Sequence, residues 1–173
     1  MPAMRTPSIK LRTGSRRGVT LIELSFGLAI AAVIVGMAVP GFQSTLRAAA
    51  VRSASFDLLS GLQQTRGSAI LESRAFSVCP SDAAGICVAA GVPTGYWRVS
   101  SDSERTPAAH ALPSGVVIRA TRSPLWFSAD GLGSSNGTLT ICDRRRIATP
   151  RAIVLSVTGR ARLEAAPIKD CEG

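Results

Sequence analysis

The chain has 173 residues, 20 basic and 11 acidic side chains, a formal net charge of +9, four Cys and a single His. That length holds one domain and an anchor. No two Cys stand in Cys-x-x-Cys spacing, His110 lies alone in a Pro/Ala-rich loop, and no Ser or Cys sits in a nucleophile-elbow setting; no metal, no cofactor and no catalysis are expected.

Residues 1–18 read as a polar leader with Arg5, Lys10, Arg12, Arg16 and Arg17 and no acid among them. From Val19 to Val39 the chain is apolar apart from Glu23 and two hydroxyls. As a helix this run is about 31 Å long at ~1.5 Å per residue, close to the ~30 Å hydrocarbon thickness of a bilayer. The basic flank keeps the amino end cytoplasmic. A cleaved secretory signal would be shorter and end in a small-residue cut. A plain anchor leaves Glu23 unexplained, since a carboxylate near the start of a spanning helix is costly and calls for a partner.

Pro40 lacks an amide donor and predicts a bend near Val39–Gly41. Beyond it, Phe42, Leu46, Ala49, Phe56, Leu59, Leu62 and Ile70 recur at helical steps, with Arg47, Arg52 and Arg66 elsewhere on the wheel. This predicts one long helix to about Ser73, with that stripe as its core-packing face.

After Arg74, short β-prone runs alternate with Gly, Pro, Ser and Asp. The expected strands are 75–79, 95–100, 115–120, 125–128, 137–142, 152–158 and 160–164. The Gly/Ser-rich stretch Asp130–Gly137 lacks the Lys-Ser/Thr ending of a phosphate-binding loop and reads as a turn. Asp102 and Glu104 read as solubilising charge. The fold class is therefore α+β: a long amino-terminal helix whose second half packs on an antiparallel β head.

Cys79, Cys87, Cys142 and Cys171 all follow the apolar run, on the far side of a membrane from the leader. An even count in an oxidising compartment reads as two disulfides, with three connectivities open. Cys79–Cys87 and Cys142–Cys171 are preferred, stabilising by roughly 2.5 and 3.5 kcal/mol through chain entropy.

Five basic residues precede Val19, so the remainder carries 15 against 11 acidic residues, nearly all of them Arg. Late in the chain stand Arg144-Arg145-Arg146, Arg151, Gly159-Arg160-Ala161-Arg162 and Lys169. In a strand, Arg160 and Arg162 share a face about 6–7 Å apart, near the spacing of successive phosphates along a stretched strand of nucleic acid. A solvated basic edge that discourages strand pairing accounts for the same residues.

Gly18-Val19-Thr20-Leu21-Ile22-Glu23-Leu24 resembles the class III signal of type IV pilins and type II secretion pseudopilins. The resemblance implies cleavage by prepilin peptidase between Gly18 and Val19, methylation of the new amino terminus and retention of the helix. It also implies pairing of Glu23 with a neighbouring subunit's terminus, and a helix-bending role for Pro40. Val19 departs from the usual Phe. Phe127-Ser128-Ala129-Asp130-Gly131, Gly137–Cys142, Ala152–Ser156 and Gly159–Arg162 are similar to the carboxyl-terminal domain of FimT minor pilins and GspH pseudopilins. The Gly-Arg-x-Arg element resembles that of FimT proteins implicated in DNA uptake during natural transformation. It assigns DNA contact to Arg160 and Arg162, with Gly159 permitting the turn. Arg144, Arg145, Arg146, Arg151 and Lys169 join only by proximity. The implied partners are other pilin subunits, prepilin peptidase, DNA without sequence preference, and the inner membrane before assembly. The implied place is a single-pass inner-membrane protein with a periplasmic head, later part of a pilus. A structural GspH-like pseudopilin or priming subunit without ligand is the competing reading, and an unprocessed single-span protein a third.

Overall fold

The structure is a computed structural model that describes residues 18–101, 109–131 and 133–171, with side chains described for all of these except 38–40. The leader and its five cations, Asp102, Glu104 and the bend expected at Pro40 lie outside the described set. The chain divides into two units between Val39 and Pro40, taken one at a time below.

Helix α1 (Leu21–Glu72) contributes to both units. Thr20 caps its start: the Thr20 hydroxyl accepts the Glu23 amide at 3.3 Å. Glu23 stands three residues after the cap, where the unpaired amides and positive end of the helix favour a carboxylate. In the first unit every described residue is exposed, and this part of α1 is apolar and long enough to cross a membrane. At the other end, Ser73 takes a left-handed conformation (φ 49°). Its amide donates to Ile70 O and that of Arg74 to Ala69 O, a reciprocal closure of the last carbonyls that stops the helix.

In the second unit α1 packs on two antiparallel four-stranded sheets. The first has the order β3-β2-β1-β5, from β1 (Phe76–Ser81), β2 (Tyr96–Ser101), β3 (Ala109–Ala111) and β5 (Leu125–Phe127). The second has the order β4-β6-β7-β8, from β4 (Val116–Ala120), β6 (Gly137–Asp143), β7 (Arg151–Leu155) and β8 (Ala161–Ala165). Paired bonds between Thr94 and Ile118, at 3.0 and 2.8 Å, join the sheets. The core brings Val51, Leu58 and Leu62 of α1 against Val78, Ile118, Phe127, Leu139, Ile141 and Ile153. Each such buried side chain contributes about 1.5–3 kcal/mol.

The seven expected strands are present, with ends shifted by up to three residues. The eighth, β3, holds His110, which pairs with Trp97 and stacks on its ring at 4.7 Å; a loop was expected there. Ala-His-Ala has little strand preference of its own, so the partner strand imposes its form.

Of the expected core stripe of α1, Leu62 is in the core and Leu59 packs against it, but the other five residues point away. Phe42, Leu46, Ala49, Phe56 and Ile70 are exposed. The buried face is instead Val51, Ala54, Ser55, Leu58, Gly61, Leu62, Thr65 and Ala69. Small residues let the helix lie close to the sheets. Ser55 and Thr65 are buried at little cost because their hydroxyls donate to Val51 O at 2.7 Å and Gly61 O at 2.6 Å.

The disulfides are Cys79–Cys87 and Cys142–Cys171, with Cα atoms 5.7 and 5.9 Å apart. The second ties a short 3-10 helix, Ile168–Cys171, to β6.

Candidate functional site

The second sheet turns one face to the core, while its other face is only partly open: Val117, Thr140, Cys142 and Ala152 on it are buried. Side chains alternate along each strand. Val116, Ile118 and Ala120, then Leu139 and Ile141, then Ile153 and Leu155, enter the core. Arg119, Thr138, Thr140, Val154, Arg162 and Glu164 therefore lie on the opposite, outer face.

The β7–β8 hairpin carries the Gly-Arg-x-Arg element. Leu155 pairs with Ala161 and Val154 with Arg162. Ser156 closes the turn: its amide donates to Arg160 O at 3.1 Å, and its hydroxyl accepts the Arg160 amide at 3.2 Å. Gly159 has φ +74°, and a side chain there would meet Arg66 Nε at 3.1 Å and Gly131 O at 3.4 Å. Arg66 is itself fixed, donating from Nε to Gly131 O at 3.0 Å. Two demands thus fall on residue 159: a left-handed backbone and no Cβ.

Strand β8 begins at Ala161, one residue later than expected. Arg160 is consequently a turn residue, exposed at the hairpin tip. Arg162 is exposed on the edge strand and ion-paired with Glu164 two residues on, on the same face.

The remaining basic candidates do not gather around this pair. Arg151 lies on the core-side alternation of β7, pairing with Ile141 and Ala165, so it takes the opposite face from Arg162. Arg144, Arg145 and Arg146 are exposed in the β6–β7 connection, at the other end of β7, about 14 Å away at ~3.4 Å per residue. That connection is ordered by buried Asp143, whose Oδ2 accepts the Ile147 amide at 2.9 Å and the Ala148 amide at 3.4 Å. Arg146 sits at φ 58°. Lys169 is exposed on the 3-10 helix held to β6 by Cys142–Cys171.

Three arginines absent from the sequence-based set bear on this region. Arg66 supports the hairpin turn from below. Arg119 projects from β4 to the outer face, and Arg122 follows β4 beside Thr121, Thr138 and Val154. Alternation in Val116-Val117-Ile118-Arg119-Ala120 contains the signal for Arg119, since an arginine between two core residues must face outward.

Two other sites stand apart. A cavity of about 390 Å³ lies between α1 and the first sheet, lined by Asp57, Gln64, Trp97 and His110 among others. Among the described residues no cluster of three His, Cys, Asp or Glu side chains is placed to hold a metal ion. At the amino end, Gly18 and Val19 are exposed and precede the helix.

A model of the family described as Type II transport protein GspH matches residues 54–159, more than half of the chain. Among solved structures, the fold is similar to the type IV minor pilin FimU of Pseudomonas aeruginosa (strain PAO1), at 21% identity over 65% of this chain and 91% of that one, with a TM-score of 0.48. It is also similar to the minor pseudopilin EpsH from the Type 2 Secretion System of Vibrio cholerae, at 15% identity over 65% of this chain and 94% of that one, with a TM-score of 0.48. No curated protein sequence matches. On the family match, which runs from within the packed half of α1 through seven strands to the hairpin glycine and stops short of β8, the chain belongs to the GspH family of minor pilins and pseudopilins.

Proposed function

We propose that this minor pilin captures extracellular DNA and delivers it for uptake during natural transformation. The observation that carries the reading is the hairpin tip, where Arg160 and Arg162 stand exposed within three residues of each other on a turn fixed by Gly159 and Arg66. Such guanidinium groups bind phosphate oxygens through charge-assisted hydrogen bonds, without reading sequence, and their binding weakens with salt. A site with few phosphate ligands has a dissociation constant of roughly 10⁻⁴–10⁻⁶ M, and several copies on a filament tighten the overall grip by avidity.

The other end of the chain supplies assembly. Prepilin peptidase cuts between Gly18 and Val19. Glu23 pairs with the amino terminus of a neighbouring subunit. The apolar half of α1 holds the protein in the inner membrane with its head in the periplasm, then enters the filament core. The exposed Phe42, Leu46 and Phe56 face neighbouring subunits there.

A structural pseudopilin without ligand is the second reading. The spread of Arg144–Arg146, Arg151 and Lys169 over two ends and two faces of the sheet favours it.

The deciding experiment titrates the full chain, oxidised and in non-ionic detergent, with a short fluorescent DNA duplex, beside an Arg160→Gln/Arg162→Gln variant. Micromolar-range binding that falls with salt and is lost in the folded variant supports DNA capture. Absence of binding at low salt, or equal binding by both proteins, removes the hairpin as the site and leaves the structural subunit.

A further inference from the structure

Along the outer face of the second sheet three adjoining hollows form a trough, its floor buried at Thr140 and Cys142, that the Gly-Arg-x-Arg element only flanks. Three cavities, of about 370, 560 and 250 Å³, follow one another along β4 and β6. The first two share Thr121 and Thr138; the last two share Arg119. From Thr138 to Asp143 the trough runs about 17 Å, five steps of ~3.4 Å. Arg122 lines one end, where Val154 links it across the sheet to Arg162. Arg119 lies midway, and Arg144 and Arg146 line the far end beside the Cys142–Cys171 bridge. Among the described residues the carboxylates in it are Asp170, in the middle cavity, and Asp143, in the last, whose Oδ2 accepts the Ile147 and Ala148 amides. Basic groups at both ends and the middle outnumber them.

Hydroxyls fill the floor between the arginines. Thr121 Oγ1 accepts the Thr138 amide at 2.9 Å, so its own proton is left to donate outward. Among the described residues no Trp, Tyr, Phe or His lines any of the three cavities. A surface that binds single strands gains much of its affinity from bases stacked on aromatic rings; this one has only cations and hydroxyls, the groups that grip a sugar–phosphate backbone.

We propose that the trough is the seat of a double-stranded DNA backbone, with Arg122 and Arg162 on phosphates at one end, Arg119 at the middle and Arg144 at the other. It rests on the DNA-capture reading and extends it from the hairpin tip to the whole outer face. It also reunites two groups of arginines that the length of β7 separates.

The test uses the full oxidised chain in non-ionic detergent and a short fluorescent duplex, at several salt concentrations between roughly 50 and 200 mM. Four proteins are compared: wild type, Arg119→Gln/Arg122→Gln, Thr138→Glu, and Arg160→Gln/Arg162→Gln. Thr138→Glu places a repelling charge on the floor and removes no cation, so it remains informative if loss of Arg119 disturbs β4. The expected result is weaker binding by both trough variants, with the slope of log affinity against log salt reduced by about 2 in the double variant, one for each phosphate no longer neutralised, and no preference for single strands. Wild-type affinity and slope in both trough variants, with binding abolished only in the hairpin variant, overturns the trough while leaving the hairpin site standing. A tenfold preference for single strands overturns it too. Failure of the wild type to bind at low salt overturns both readings.

Discussion

Gly61 of α1 lies directly under the indole of Trp97: a Cβ at 61 would collide with the Cη2 end of the ring. The indole is itself buried and stacked on His110, so yielding to a side chain at 61 means giving up that stack for the cavity beside it. In an exposed helix, Gly→Ala stabilises by about 1 kcal/mol; here the overpacking, at about 1–3 kcal/mol, exceeds it. Gly61→Ala should lower stability by about 1–2 kcal/mol in a denaturant titration, and Gly61→Val by more. A neutral or stabilised Gly61→Ala protein would show that helix and sheet are free to part at this point.

Two residues apart on the same helix, Leu58 and Phe56 should behave in opposite ways. Leu58 is 0% exposed and Phe56 53%. Leu58→Ala should cost about 2–5 kcal/mol, the transfer free energy of the deleted side chain plus the cavity. Phe56→Ser should leave the stability of the isolated chain within about 0.5 kcal/mol, yet reduce its recovery in filaments if the exposed ring is buried against another subunit there. Equal destabilisation by both changes would restore Phe56 to the subunit's own core.

This pair also shows where sequence reading reached and where it stopped. The strands were legible because β-branched runs such as Ala152–Val157 are bounded by Gly, Pro and Ser. The long helix was legible from its apolar run and the helical spacing beyond it, whereas the disulfide pairing was only preferred among three open connectivities, and the structure has the preferred one. The packing face of α1 was not legible. Hydrophobicity pointed to Phe42, Leu46 and Phe56, which are exposed, while much of the inner face is written in Ala, Gly, Ser and Thr, whose value is small size and, at Ser55 and Thr65, a hydroxyl that returns to its own helix. The outer-face arginines escaped for a related reason. Arg119 and Arg122 stand singly in sequence, and Arg119 shares a cavity with Arg144, and a sheet face with Arg162, only once four strands are laid side by side.

Gly159 tests whether the hairpin is a fold requirement as well as a binding element. Its φ of +74° strains any residue with a Cβ, and the Arg66 side chain and Gly131 carbonyl close the space. Gly159→Ala should cost about 1–2 kcal/mol from the left-handed backbone alone. Gly159→Asn should cost less in backbone strain, since Asn tolerates that region. Pairing Gly159→Ala with Arg66→Ala separates the two causes. If the clash with Arg66 dominates, the double variant recovers most of the loss; if backbone strain dominates, the losses add. Thermal or denaturant unfolding of the four proteins decides between them.

Glu164 offers the sharpest view of Arg162 at work. The two are paired on the exposed face of the edge strand, with side chains 63% and 44% exposed for Arg162 and Glu164. A pair so open to solvent adds at most about 1 kcal/mol to stability, so Glu164→Gln should scarcely move the unfolding midpoint. Its effect on anion binding is another matter. A phosphate must compete with the carboxylate for the Arg162 guanidinium, and removing the competitor should tighten duplex binding by about two- to fivefold, the equivalent of ~0.4–1 kcal/mol. The control is the same change in an Arg162→Gln background. If Arg162 is a phosphate ligand, most of the gain disappears there. If Glu164→Gln tightens binding equally with and without Arg162, the gain reflects the net charge of the head, and Arg162 loses its assignment as a DNA ligand.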